Sequence, residues 1–295
     1  MDPLIIGLVA ASALLHVVWN VRLKTAGDPL RAATIGMLAG TVVIVPVGVA
    51  AWVASGSPAM SPLGVSLGLA SGVFEAAYFV LLAEAYRRGD LSVVYPLARG
   101  TAPLLLVVVG VVFLDERLGP AGWVGVALLV VGFLALQRPW QAVRARAGGR
   151  RPDAAIAFAL ATGVMIAGYT SLDRVGTRLI APFPYATILW VTGAVLLVLW
   201  VRLVAGGGLW AGGAEASRRA AVGGVLTMFA YLLILVALSV APLTAVAPLR
   251  ESATVIVATW GALRLGEAAS RGDATRRIGA SAAIVLGALL LALNG

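Results

Sequence analysis

The chain has 295 residues, 61% of them hydrophobic and only 12% charged, with a net charge of +9 and no cysteine. A soluble domain carries about twice that share of charge and a largely polar outside, which argues against a soluble enzyme, a disordered chain or a fibrous protein. The absent cysteines exclude disulfides, thiolate metal sites and thiol nucleophiles.

Mean hydropathy is +0.99. The apolar runs are long and continuous, as in Leu104–Leu114 and Val124–Leu136. A transmembrane barrel would instead alternate apolar and polar residues in short strands. An all-α integral membrane protein remains. A single lysine, Lys24, stands among 22 basic residues, and the arginines cluster in short stretches between apolar runs. That is the pattern of membrane loops rather than of a nucleic-acid surface.

A helix needs about 20 mainly apolar residues to cross the bilayer core. Ten segments meet this: 3–22, 32–54, 62–86, 91–114, 119–136, 154–172, 183–203, 220–240, 242–263 and 276–293. The first has no basic start and is read as a helix, not a cleaved leader. Turn chemistry separates the others, as in Gly27-Asp28-Pro29, Ser55-Gly56-Ser57-Pro58, Arg88-Gly89-Asp90 and Ala241-Pro242. The longest break, 137–153, is rich in arginine and lies at the midpoint of the chain.

The midpoint break predicts two copies of one unit. Tyr78, Tyr95-Pro96-Leu97-Ala98-Arg99 and Leu114-Asp115-Glu116 line up with Tyr231, Ala247-Pro248-Leu249-Arg250 and Leu265-Gly266-Glu267, with two single-residue gaps. The expected organisation is a first five-helix unit at 1–137, a basic linker at 138–152 and a second five-helix unit at 153–295. An odd number of helices per unit forces the second copy to be inverted. Lys and Arg concentrate in the odd-numbered loops. The positive-inside rule therefore places those loops in the cytoplasm and both termini outside the inner membrane.

Ionisable groups far from helix ends are costly in a bilayer and therefore informative. Glu75 lies about 20 Å into helix three, where it can carry a coupling ion or anchor an amine. Arg99 and Arg250 each lie about 12 Å in, from opposite ends, and offer planar donor forks suited to a carboxylate or phosphonate. Glu251 follows Arg250 but points about 100° away from it. His16 and Asn20 share a helix face bordered by Trp19. Tyr78 lies on the face of Glu75, Tyr231 is its repeat mate, and Tyr95, Tyr169 and Trp190 are further mid-span aromatics that can stack on a substrate or attract its ammonium. Pro96 and Pro248 are expected to kink or unwind helices four and nine and free carbonyls beside the two arginines.

Other charges read as structural. Glu84 is placed to pair with Arg87 and Arg88. Glu116 and Glu267 are expected to satisfy the entry into the next helix. Asp173 and Arg174 are expected to be solvated at the end of helix six. Gly36, Gly40, Gly64, Gly68 and Gly72 are spaced for close helix packing. No metal site, cofactor or ATP motif is expected.

The strings Leu14-Leu15-His16-Val17-Val18-Trp19-Asn20-Val21-Arg22-Leu23-Lys24, Tyr95-Pro96-Leu97-Ala98-Arg99-Gly100-Thr101-Ala102-Pro103-Leu104 and Pro248-Leu249-Arg250-Glu251-Ser252 resemble the EamA-type branch of the drug/metabolite transporter superfamily. The resemblance includes a subgroup with H-x-x-W-N in helix one. It implies a secondary carrier of small metabolites, not an enzyme, working by alternating access around a site between two repeats. Some relatives of the subgroup are associated with phosphonate use.

The expected function is transport of a small charged or zwitterionic metabolite, amino-acid-like or aminophosphonate-like. The substrate-binding residues are His16, Trp19, Asn20, Glu75, Tyr78, Tyr95, Arg99, Tyr169, Trp190, Tyr231, Arg250 and Glu251. The expected partners are that substrate, the lipid bilayer and a coupling proton or sodium ion, with no nucleic acid. The alternative is a proton-coupled exporter of cationic drugs or amines.

Overall fold

The computed structural model describes residues 2–24, 26–88, 91–137, 154–251 and 270–294. The basic linker expected at 138–152, the far half of the ninth segment and Glu267 lie outside the described residues. The described residues form ten α-helices: α1 Pro3–Lys24, α2 Pro29–Ala54, α3 Pro62–Arg88, α4 Leu91–Phe113, α5 Pro120–Gln137, α6 Ala154–Leu179, α7 Pro182–Trp200, α8 Gly213–Val240, α9 Leu243–Glu251 and α10 Arg271–Asn294. A five-residue π turn, Val201–Ala205, extends α7. Five helices are long and apolar enough to cross a membrane: α2, α3, α6, α7 with its π turn, and α8.

Local sequence sets the ends. Asp28 caps α2 through a hydrogen bond from the Arg31 amide at 3.1 Å, and Pro29 follows at the first helical position, where its missing N–H costs nothing. Proline likewise opens α3, α5 and α7. The largest departure from the sequence boundaries is α6, which runs to Leu179 instead of stopping at 172. Hydropathy marks only the apolar part of a helix, and the last turns of α6 are polar residues that are nevertheless inside the protein. Helices α4 and α9 also run helically through Pro96 and Pro248, so the expected unwinding is absent over the described turns.

The principal packing pairs are α3 with α6 and α7, α8 with α1 and α2, α2 with α7, α5 with α10, α4 with α6 and α9, and α1 with α9. Helix α6 also packs on α8, and α9 on α10; replacing each helix by the one five places along maps most of these pairs onto one another, with α6–α8 the exception among the described residues. Val42, Leu63, Phe113, Trp123, Val131 and Leu293 stay exposed on the outer faces, as hydrocarbon contact requires.

Small residues carry the tightest crossings. Helix α3 lies on α7 along Gly68 and Gly72 and on the α6–α7 junction at Gly64, as their spacing predicts: a Cβ on each would press on Ile188, Thr192 and Ile180 respectively. At the α2–α8 crossing a Cβ on Gly224 would stand 2.1 Å from the Gly36 Cα. Backbone therefore meets backbone there.

The two ends of the bundle differ. At one end the α1–α2 and α7–α8 connections meet: Arg31 donates to the carbonyls of Gly208 at 3.2 Å and Gly206 at 2.7 Å. A cavity of about 1130 Å³ opens here between α2 and α8.

At the opposite end stands a charged group that the sequence reading placed elsewhere. Glu116, just past α4, does not serve the next helix. Its carboxylate accepts the first backbone amides of α9, from Leu243 at 2.7 Å and Thr244 at 2.9 Å. Arg174, read as solvated, is 7% exposed. Its Nε lies 3.5 Å from Glu116, and its Nη1 donates to the Leu238 carbonyl at 2.7 Å. Glu116 thus acts as an N-cap supplied by a distant segment, where a negative charge also suits the helix dipole.

Two outcomes follow for thermal unfolding in detergent. Gly224→Ala lowers the melting temperature, an overpacking loss of about 1–3 kcal/mol. Gly223→Ala, where a Cβ meets nothing within 4 Å, holds or raises it through helix propensity. Glu116→Ala leaves two amides and Arg174 without their acceptor and costs about 2–4 kcal/mol. Glu84→Ala, which removes only an exposed pairing with Arg87 at 3.1 Å and with Arg88, changes little.

Candidate functional site

Between the two ends lies a compact group of buried polar side chains. Glu75 comes from α3 and is 4% exposed. One full helical face of α3 carries Ser71, Glu75 and Tyr78, spaced four and three residues apart, so all three point toward α6. Helix α6 answers with Tyr169, Thr170 and Asp173, also on one face, all buried. Tyr185 of α7, Tyr231 of α8 and Arg250 of α9 complete the group.

Asp173 is its most heavily bonded member. It is fully buried. Oδ1 accepts from the Ser71 hydroxyl at 2.6 Å and the Tyr185 hydroxyl at 2.9 Å, and Oδ2 accepts from the Tyr231 hydroxyl. The reading of Asp173 as solvated is therefore wrong, and for one reason: α6 continues two turns past the point where the hydropathy falls. Thr170, Asp173 and Thr177 recur at helical spacing, and that polar stripe was the available signal.

Three tyrosine rings stand edge to face in a chain. Tyr78 and Tyr169 are 5.9 Å apart between ring centroids, and Tyr169 and Tyr231 are 5.7 Å apart. The Arg250 guanidinium lies 5.6 Å over the Tyr231 ring and donates to the Tyr169 hydroxyl at 3.2 Å. It is held by aromatic faces as well as hydrogen bonds.

Glu75 lies within electrostatic reach of both Asp173 and Arg250. Its Oε2 is buried and has no hydrogen-bond partner, and the same holds for Thr170 Oγ1 on α6. An unsatisfied buried carboxyl oxygen is costly and marks a place for an incoming donor.

The other expected site residues divide. Arg99 of α4 is 5% exposed and close enough to act on Tyr169 and on His16. His16 is buried on α1, with Nδ1 3.1 Å from the Ser12 carbonyl, and also feels Arg250. Trp190 is buried but stands apart, with its ring against Gly40. It lines the deep end of the open cavity with Met37, Phe79 and Thr227. Phe79 adjoins Tyr78, and Thr227 is one turn before Tyr231, so the cavity ends about one turn short of the cluster. Its mouth carries Asp28, Arg31, Glu215, Arg218 and Arg219. The side chains of Trp19, Asn20, Tyr95 and Glu251 lie outside the described residues. Among the described residues, no group of three or more His, Cys, Asp or Glu could hold a metal ion.

The arrangement brings groups of both charge signs together with aromatic rings. It has a carboxyl oxygen without a partner, an arginine held by tyrosines, and aromatic faces between them.

Over 61 residues the chain is 41% identical to the spermidine export protein MdtI of Salmonella arizonae and 39% identical to that of Salmonella paratyphi B. The match covers 21% of this chain, and the chain spans 56% of the length of each of these curated relatives. A protein crystal structure with 20% sequence identity superposes with a TM-score of 0.68 over 98% of this chain and 99% of that one, which is a likeness of fold alone. Residues 2–137 match the EamA-like transporter family. Over that segment, somewhat under half of the chain, the protein is similar to that family, and its long apolar helices are of membrane-spanning length.

Proposed function

We propose that the chain is a secondary carrier for a small amine-bearing metabolite with an anionic end, such as an amino acid or an aminophosphonate. Glu75 receives the ammonium between the rings of Tyr78, Tyr169 and Tyr231. Arg250, with Arg99 behind it, receives the carboxylate or phosphonate as a planar donor fork. The observation that carries this reading is the buried, partnerless Oε2 of Glu75 within electrostatic reach of a tyrosine-held Arg250. Tyr95, Trp19, Asn20, His16 and Glu251 belong to the same proposal as further wall residues, and Trp190 as a residue of the entry path.

The chain works as two five-helix units, 1–137 and 153–295, inverted about an axis in the membrane plane. Most of the packing pairs survive exchange of the two sets of five helices, which supports this. The open cavity and the Glu116–Arg174 closure at opposite ends support alternating access. Basic residues around the cavity mouth support placing that end in the cytoplasm and both termini outside the inner membrane.

A second reading has its own observation. The curated relatives are spermidine exporters, and Asp173 supplies a second buried carboxyl beside Glu75. A cationic amine exported against protons would use both.

The deciding experiment is thermal shift followed by counterflow in proteoliposomes. The panel holds amino acids, aminophosphonates, carboxylates, quaternary amines and spermidine. A ligand at about 100 times its Kd stabilises the folded protein by about 2.7 kcal/mol. The expected outcome is stabilisation by a zwitterion, lost in Arg250→Ala and in Glu75→Gln, with counterflow falling at least tenfold in both. Stabilisation by spermidine that survives Arg250→Ala but not Glu75→Gln selects the exporter. Wild-type counterflow in both folded variants removes the site.

A further inference from the structure

We infer that Glu75 and Asp173 form a carboxyl pair that shares one exchangeable proton, and that this pair is the ion-coupling site of the protein. The inference rests on the carrier reading above and adds Asp173 to the Glu75 side of that site.

The two members are bonded very differently. Asp173 accepts three hydroxyl hydrogens, from Ser71, Tyr185 and Tyr231. Three donors and no acceptor is the environment of an ionised carboxylate. Glu75, one turn along α3 from Ser71, keeps Oε2 buried and without a partner. A protonated carboxyl needs fewer acceptor contacts and brings a donor of its own. Thr170 Oγ1, buried, unpartnered and one turn before Asp173, is an acceptor of the right kind on the facing helix. Two carboxylates in electrostatic contact inside a water-poor bundle do not both ionise readily, and a single proton relieves them.

The groups facing the pair come from every helix around it. Helix α6 brings Tyr169 with Asp173, α7 brings Tyr185, α8 brings Tyr231 and α9 brings Arg250. Arg99 of α4 and His16 of α1 stand behind Arg250 and Tyr169. Arg250 offsets one negative charge, so one carboxylate and one carboxylic acid is the balanced state of the three groups. When a substrate ammonium docks on Glu75, the proton leaves its carboxyl oxygen for water in the cavity. One positive charge then replaces another, and the exchange is electrically even at the site. Asp173 acts as a positioning and tuning residue through Glu75, not as a substrate contact.

The test is infrared titration of the detergent-purified full chain, following the carbonyl stretch of protonated carboxyl groups against pH. In wild type one such band is expected, and it vanishes in Glu75→Gln. Asp173→Asn removes the like charge, so the midpoint moves down by about one pH unit or more. Ser71→Ala removes a donor from the ionised partner and gives the proton a second resting place, so the midpoint moves up. A residue that merely packs would not move the midpoint in opposite directions. If Asp173→Asn is not monodisperse, Ser71→Ala, which deletes one hydroxyl, decides alone.

Midpoints equal to wild type overturn the pair. A band abolished at constant pH by sodium chloride but not by choline chloride overturns the proton and assigns the site to sodium. Counterflow that fails while the shifts persist overturns the carrier reading and leaves the shared proton standing. Counterflow intact with neither shift overturns the pair and leaves the carrier.

Discussion

Every buried charge in this chain must find its stabilisation inside the protein, because the hydrocarbon around the bundle offers no water. Asp173 shows how far that requirement reaches. Its three hydroxyl donors come from α3, α7 and α8, so one carboxylate fixes the relative heights of four helices. The tyrosine that serves it from α8 also offers its ring to Arg250 of α9. Arg250 in turn bonds Tyr169, one turn before Asp173 on α6. The polar centre is a closed circuit of contacts rather than a set of pairs, and such circuits lose more than one bond when any member is removed.

Around that circuit the packing is of a different kind. The close crossings use glycine, and the outer faces use aliphatic side chains with no partners. Lipid tails compete evenly with leucine, so apolar burial gives little reason for one helix to choose another. Choice comes from shape at the small residues and from polar bonds at the centre and the closed end. The open end, where Arg31 holds two carbonyls of the α7–α8 connection, is built from surface contacts that water can replace.

Much of this was legible in the residues. The all-helical class, the small-residue crossings and the burial of Glu75, Arg99 and Arg250 follow from apolar run length and spacing, because both are one-dimensional properties. The gathering of Glu75, Tyr78, Tyr169, Tyr231 and Arg250 was foreseen as a list, since each is polar where lipid would forbid it. Asp173, Arg174 and Glu116 were misread for one physical reason. A charge near the end of an apolar run looks the same whether it meets water or a partner on a distant segment, and only the fold brings Ser71, Tyr185 and the start of α9 to it. Trp190 illustrates the converse. Its mid-span place is correct, yet its ring faces Gly40 and the cavity rather than the charged centre.

The cap on α9 has a consequence for how the molecule is made. Glu116 is synthesised and reaches the membrane well before Leu243 and Thr244, the amides it serves, leave the ribosome. Throughout that interval the carboxylate lacks the bonds that make its final depth tolerable, so it has to stay with water at the membrane surface. The α4–α5 connection can settle only when the ninth helix arrives. A chain that stops before residue 243 lacks the two amides that this carboxylate accepts, so the end of the first half is completed only by the second.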